Sequence, residues 1–201
     1  MKLLLTSAGF ENSKVGKEFL KLIDKPVSEI KVIFVPTAAR TKEELFYVDK
    51  SKKELLNVGI HAQDIKTLDL DHKISFEEVD GFDVIYVCGG NTFYLLHKVR
   101  EASFDKITKQ FLEKRGIYVG VSAGSIIVGP DIEIAGFGKK NDIGLKDLTG
   151  LNLVDVSIFP HFTKKDRQSV EKFKKKVDYI ILPLTDNRAL VILGNKKEII
   201  E

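Results

Sequence analysis

Ile117-Tyr118-Val119-Gly120-Val121-Ser122-Ala123-Gly124-Ser125-Ile126-Ile127-Val128 is the stretch that decides how this chain is read. A β-branched apolar run enters Gly120, a serine stands between two glycines, and a second apolar run follows. Gly-x-Ser-x-Gly is the spacing of a nucleophile elbow, where a strand turns abruptly into a helix and lifts a hydroxyl above the sheet edge. Side chains at the flanking positions would collide with neighbouring backbone, which is why glycine is needed there. Chance alone supplies such a triplet in roughly one 200-residue chain in fifteen. The surroundings therefore have to carry the reading.

Working outward, short Val- and Ile-rich runs alternate with longer stretches of helical period. The runs are Leu3 to Leu5, Val32 to Val35, Ile65 to Leu68, Val84 to Val87 and Ile117 to Val119. Between them lie Ser13 to Ile23, Lys42 to Val58, Thr92 to Glu101 and Phe104 to Lys114, with apolar residues recurring at three- and four-residue spacing. Continuous apolar strands separated by helices predict a mostly parallel sheet covered on both faces, a three-layer α/β sandwich. Residues 129–150 are glycine-rich with scattered charge and read as a long loop region. A strand at Val154 to Phe159, a helix at Lys165 to Val177 and apolar runs at Tyr179 to Leu182 and Ala189 to Leu193 follow. Gly194-Asn195 then turns the chain into a closing C-terminal hairpin ending at Glu198 to Ile200. With no linker or repeat, residues 1–201 read as a single domain.

Composition narrows the function classes. A chain 43% hydrophobic and 30% charged, with net charge +3, has the balance of an ordinary globular protein. The lysines around Lys172 to Lys176 fall on a helix that can bury Val170, Phe173 and Val177, so they read as a solvated face, not a nucleic-acid site. The single cysteine, Cys88, excludes an internal disulfide and a cysteine-rich zinc site. The start carries only three consecutive leucines, too few for a signal peptide or a membrane span, so a cytoplasmic protein is expected. The oligomeric state stays open, a homodimer included.

In parallel sheets, sites gather at the C-terminal strand edge. The loops expected there are Thr6 to Gly9, Pro36 to Arg40, Gly89 to Thr92 and the Ser122 elbow, three of them rich in small residues. A nucleophilic serine needs a base, a group that orients the base, and donors for the oxyanion. Of the histidines, His61 and His72 lie in charged connections and His97 inside a helix, whereas His161 ends the run Val156 to Pro160 and is placed near Ser122. Asp142, in the glycine-rich loop, and Asp186, in a turn between the last apolar runs, are both candidates to orient it. The Ala123 N–H and one from the Gly89-Gly90-Asn91 turn suit an oxyanion hole.

Together, Ile117 to Ser125, the upstream Gly89-Gly90-Asn91-Thr92-Phe93 turn and the downstream Phe159-Pro160-His161-Phe162-Thr163 resemble peptidase E. That is the serine peptidase family that includes cyanophycinase and is built on the class I glutamine amidotransferase-like fold. The resemblance runs from about Leu3 to Leu193. It implies Ser122 as nucleophile, His161 as general base and the amides of Gly90 and Ala123 as oxyanion hole. Asn141-Asp142 matches a family pair after the elbow helix, and Asp186 matches an acidic residue near the last strands; Asp142 is the favoured partner of His161. Peptidase E removes N-terminal aspartate from short peptides, holding it with an arginine for which Arg167 is the match. Asn91 is the other expected substrate contact. Val121 stands where the family usually has tryptophan, and the segment from His161 to Arg167 is shorter, which bears on aspartate specificity more than on hydrolysis.

The expected activity is thus a serine exopeptidase acting on short peptides through an acyl-enzyme, with no metal or organic cofactor. Two rivals remain. A small esterase of α/β-hydrolase type would share the order Ser122, Asp142, His161, although the tail reads as a hairpin instead of further βα units. A catalytically silent amidotransferase-like binding module would keep the fold and use Ser122 only structurally.

Overall fold

The computed structural model describes residues Met1–Glu201. Its main sheet has seven strands: β1 (Lys2–Thr6), β2 (Val32–Val35), β3 (Ile65–Thr67), β4 (Val84–Val87), β5 (Ile117–Val121), β8 (Ala189–Leu193) and β9 (Lys196–Ile200). They lie in the order β3-β2-β4-β5-β1-β8-β9. The strands from β3 to β1 are parallel, while β8 and β9 run antiparallel as the predicted closing hairpin.

Alternation along each strand sends side chains to two separate cores. Leu3, Leu5, Ile33, Val35, Ile85, Val87 and Tyr118 face one layer; Leu4, Val32, Phe34, Val84, Tyr86, Ile117 and Val119 face the other. The second layer is closed by α1 (Ser13–Leu22), through Val15, Phe19 and Leu22, and by Leu55 of α2 (Lys42–Asn57). Asn12 caps α1, and a Thr41–Glu44 capping box starts α2. The first layer is closed by α3 (Thr92–Glu101), α4 (Phe104–Glu113) and the short α5 (Ala123–Ile126).

The predicted strands near 154–159 and 179–182 form, but not in the main sheet. As β6 (Val156–Phe159) and β7 (Ile180–Pro183) they pair in parallel as a separate two-stranded sheet. The edge of β1 away from β5 is taken by β8. The β6–β7 pair and α6 (Arg167–Lys174) instead pack over one face, where Val156, Ile158, Val170, Phe173 and Ile181 join the larger core. The lysines of α6 lie around its two buried residues, Val170 and Phe173, as a solvated face would. The glycine-rich region is not wholly irregular: Glu133–Phe137 makes a short 3₁₀ turn that buries Ile134 and Ala135, and Asp131 bridges Thr149. No helix is long and apolar enough to cross a membrane.

The crossing of the elbow against β4 is one of the tightest contacts of the fold. A Cβ on Gly124 would stand 2.3 Å from the Val87 carbonyl oxygen, and one on Gly120 would stand 2.6 Å from the Gly124 oxygen. Gly136, by contrast, faces open space. Gly124→Ala is expected to lower the free energy of unfolding by about 1–3 kcal/mol or more, and Gly136→Ala to stay within about 0.5 kcal/mol of wild type. Denaturant unfolding of the two variants checks this; equal stabilities would contradict the packing described.

Candidate active site

Ser122 sits where β5 ends and α5 begins, with φ +47° and ψ −104°. A side chain pays a steric penalty in this left-handed region, and such strain persists only where the surroundings enforce it. Here they do: the Ser122 N–H donates to the Thr6 carbonyl of β1 at 3.0 Å, and the flanking glycines let the turn press onto β4.

The turn expected to offer an oxyanion donor packs on this serine: a Cβ on Gly89 would come within 3.2 Å of the Ser122 Cβ. Gly90 has φ +146°, and a Cβ there would meet the Ala38 carbonyl oxygen at 2.2 Å, so no other residue fits. Neither the Gly90 nor the Ala123 N–H has an acceptor within the protein.

His161 follows β6 through Pro160 and also has a positive φ, +56°. Its Nε2 lies 3.0 Å from Ser122 Oγ, and its Nδ1 lies 2.7 Å from Asp186 Oδ1. Asp186 belongs to the turn before β8, closed by the Arg188 N–H donating to the Thr185 carbonyl at 2.9 Å. The structure therefore brings Asp186, and not the favoured Asp142, against the imidazole. Asp142 is held elsewhere: both its carboxylate oxygens accept from Arg40 Nη2, at 2.8 and 3.0 Å, and the Arg40 guanidinium lies 4.6 Å from the centre of the Tyr94 ring.

Neither of the two expected substrate contacts lines the cleft. Asn91 is buried and caps α3, accepting the Tyr94 N–H at 3.0 Å, while its Nδ2 donates to the Lys140 carbonyl at 3.0 Å. Both ends of its amide are thus engaged in structure. Arg167 is exposed at the start of α6 and does not line the cleft; its neighbour Asp166 does. Ser7, which the sequence marks only as part of a small-residue loop, connects His161 and Asp186. Ser7, completely buried, donates from Oγ to Asp186 Oδ1 at 2.8 Å and accepts the His161 backbone N–H at 2.7 Å. No local pattern marks it, because both partners are more than 150 residues away along the chain.

Ser122, His161 and Asp186 open into a cleft of about 510 Å³. One wall is α2, with Tyr47, Lys50 and Glu54; the other carries Ile134, Phe137 and Lys139 from the glycine-rich segment. Lys139 reaches Glu44 of α2 at 2.6 Å, and Lys50 is paired with Glu11. Burial alone would raise the Glu44 pKa, but Lys139 and the N–H groups of Arg40 and Thr41 outweigh it and hold the carboxyl below its ordinary value. Cys88 is buried under the Gly89 turn, and burial pushes its thiol well above the ordinary value, so it is not a thiolate nucleophile. No three His, Cys, Asp or Glu side chains converge as a metal-binding group.

Residues 3–200 match the model of peptidase family S51. An uncharacterized peptidase of Pasteurella multocida is 34% identical over 178 residues, which span 84% of this chain and 84% of that one. The peptidase E of a Nostoc species is 28% identical over 171 residues, covering 81% of this chain and 66% of that protein. The crystal structure of a candidate peptidase E protein from Listeria monocytogenes EGD-e superposes with a TM-score of 0.83 at 29% identity, over 98% of this chain and 96% of that one. The fold is accordingly the class I glutamine amidotransferase-like α/β sandwich expected from the sequence. On its motifs, its sheet order and its match from end to end, this chain belongs to peptidase family S51.

Proposed function

We propose that this chain is a serine exopeptidase that hydrolyses short peptides near their free N-terminus through an acyl-enzyme on Ser122. The observation that carries the reading is the continuous hydrogen-bonded array from Ser122 Oγ to His161 Nε2, at 3.0 Å, and from His161 Nδ1 to Asp186 Oδ1, at 2.7 Å. Both distances fall within the reach a nucleophile and its base require. Ser122 Oγ attacks the peptide carbonyl while His161 Nε2 takes its proton. Asp186 holds the imidazole with Nδ1 protonated and stabilises the positive charge that develops on it. The negative charge on the carbonyl oxygen is met by the unengaged N–H groups of Gly90 and Ala123. His161 then gives its proton to the departing amine, the peptide C–N bond breaks, and water activated by the same histidine releases the acyl group.

The cleft supports a short substrate. Its volume, about 510 Å³, is that of a small-ligand site, and the Lys139–Glu44 pair spans from one wall to the other. Its charges do not favour an N-terminal aspartate over other residues. Lys50 and Lys139, which line it, are both already paired with glutamates, and Arg167 lies outside. An N-terminal Asp therefore meets no unpaired lysine or arginine in the cleft, and uncharged N-terminal residues should be accepted at least as well.

Three outcomes are expected when a dipeptide and p-nitroanilide panel is assayed beside short-chain esters. Ser122→Ala should abolish peptide release, a loss on the order of 10⁶ in kcat. Asp186→Asn should lower kcat on the order of 10⁴-fold by presenting the wrong imidazole tautomer, whereas Asp142→Asn should stay within about threefold, an ordinary surface effect. The opposite ranking of the two aspartates would remove Asp186 from the array, and ester-only turnover would replace the peptidase reading with an esterase. Arg167→Ala should change turnover of N-terminal Asp and N-terminal Ala substrates by the same factor; a selective loss on Asp substrates would place Arg167 in the specificity site.

A further inference from the structure

The side chains of His161 and Asp186 are 54% and 51% exposed, an unusual setting for a pair that has to hold one geometry. Exposed ion pairs gain little in water and readily exchange partners with solvent. Something buried has to fix them. The His161 backbone raises the same question, since its φ of +56° is a conformation that non-glycine residues avoid by about 1–2 kcal/mol.

Ser7 answers both. It follows directly on β1, has no exposed surface, and its Oγ touches the two residues at once. The hydroxyl proton goes to Asp186 Oδ1, the same oxygen that accepts from His161 Nδ1, and the hydroxyl oxygen accepts the His161 main-chain N–H. The Ser7 N–H in turn donates to the Arg188 carbonyl at 3.4 Å, two residues past Asp186. Its partners come from chain segments 154 and 179 residues away, so this one hydroxyl joins the end of β1 to both halves of the base assembly. The residue before it, Thr6, holds the Ser122 N–H.

We propose that Ser7 is a positioning residue for the proposed hydrolysis, clamping the His161 backbone and the Asp186 carboxylate to the strand end that also anchors Ser122. The proposal rests on Ser122, His161 and Asp186 acting as the serine-peptidase array. Ser7 lies in the cleft wall with no exposed surface of its own and acts through His161 and Asp186. Its loss would leave the His161 N–H without an acceptor and Asp186 with one donor fewer. The imidazole would then sample orientations in which Nε2 no longer faces Ser122, and small misplacements of a catalytic group carry large rate penalties.

The test compares wild type with Ser7→Ala and with Ser7→Cys, which keeps nearly the same size but offers only a weak S–H donor. Folding is followed by circular dichroism and thermal unfolding, turnover by kcat and KM on an N-terminal Ala substrate, and the His161–Asp186 bond by the downfield proton resonance of the carboxylate-bound Nδ1–H. The folded variants should lose on the order of 10- to 100-fold in kcat, with KM within about threefold and the resonance lost or broadened. A residue with only a structural role would reduce the amount of folded enzyme and leave kcat per folded molecule and the resonance in place, and that result overturns the proposal. If Ser7→Ala does not fold, Ser7→Cys decides by the same criteria. Ser122→Ala in the same assay keeps the two levels apart. Turnover that survives in Ser122→Ala defeats the serine reading itself, whereas a dead Ser122→Ala beside full-speed Ser7 variants defeats only the role of Ser7.

Discussion

The C-terminal end of β1 is the constraint on which the site depends. β1 lies between β5, to which it is parallel, and β8, to which it is antiparallel, with Thr6 in register with Val121 on one side and Ala189 on the other. The Thr6 carbonyl accepts the Ser122 N–H at 3.0 Å and lies 2.8 Å from Ser125 Oγ, while Thr6 Oγ1 donates to the Gly120 carbonyl at 3.1 Å. One residue later, Ser7 holds His161 and Asp186. Three segments distant in sequence therefore converge on two consecutive residues at the end of a central strand. A site hung on a rigid sheet end keeps its geometry better than one carried by loops alone.

Strain is concentrated at the same place. Ser122 and His161 both have positive φ, and both are tied by their main-chain N–H groups to the end of β1, at Thr6 and Ser7. Gly124 is pressed onto Val87 of β4, Gly120 onto Gly124 and Gly90 onto Ala38, each so closely that no room is left for a Cβ. Backbone held in costly conformations by surrounding hydrogen bonds is what a preorganised site requires, because the donors and the base need not reorganise as charge develops. The cleft walls follow another logic. Their two lysines pair with glutamates across and along the cleft, so its basic charge is neutralised before substrate enters, while Glu43, Glu54 and Asp166 leave it with an excess of carboxylates.

Much of this was legible in the sequence. Apolar runs separated by helical stretches gave the parallel strands nearly to the residue, and the elbow, the Gly89-Gly90 turn and the position of His161 beyond an apolar run all depend on local pattern. The identity of the carboxylate was not legible in this way. Asp142 and Asp186 are both aspartates in turn-rich segments, and what separates them is the direction of β8. Because β8 is antiparallel to β1, the turn before it, and not the one after it, lies at the catalytic edge. The surroundings of Asn91 and Arg167 are hidden for a related reason: Asn91 caps α3, and Arg167 starts α6 outside the cleft.

The sequence by itself determined the layered α/β fold, the elbow at Ser122, the Gly89-Gly90 turn and the place of His161 beyond an apolar run, because strand periodicity and glycine sterics act over a few residues and leave a local record. Only the tertiary structure decided that Asp186 lies against His161, that Asp142 pairs with Arg40, that β6 and β7 form a sheet of their own and that Ser7 bonds both His161 and Asp186. Those outcomes depend on which strand takes the free edge of β1 and in which direction. Such a choice is made by long-range packing and hydrogen bonding between residues more than a hundred positions apart, which no window along the chain contains.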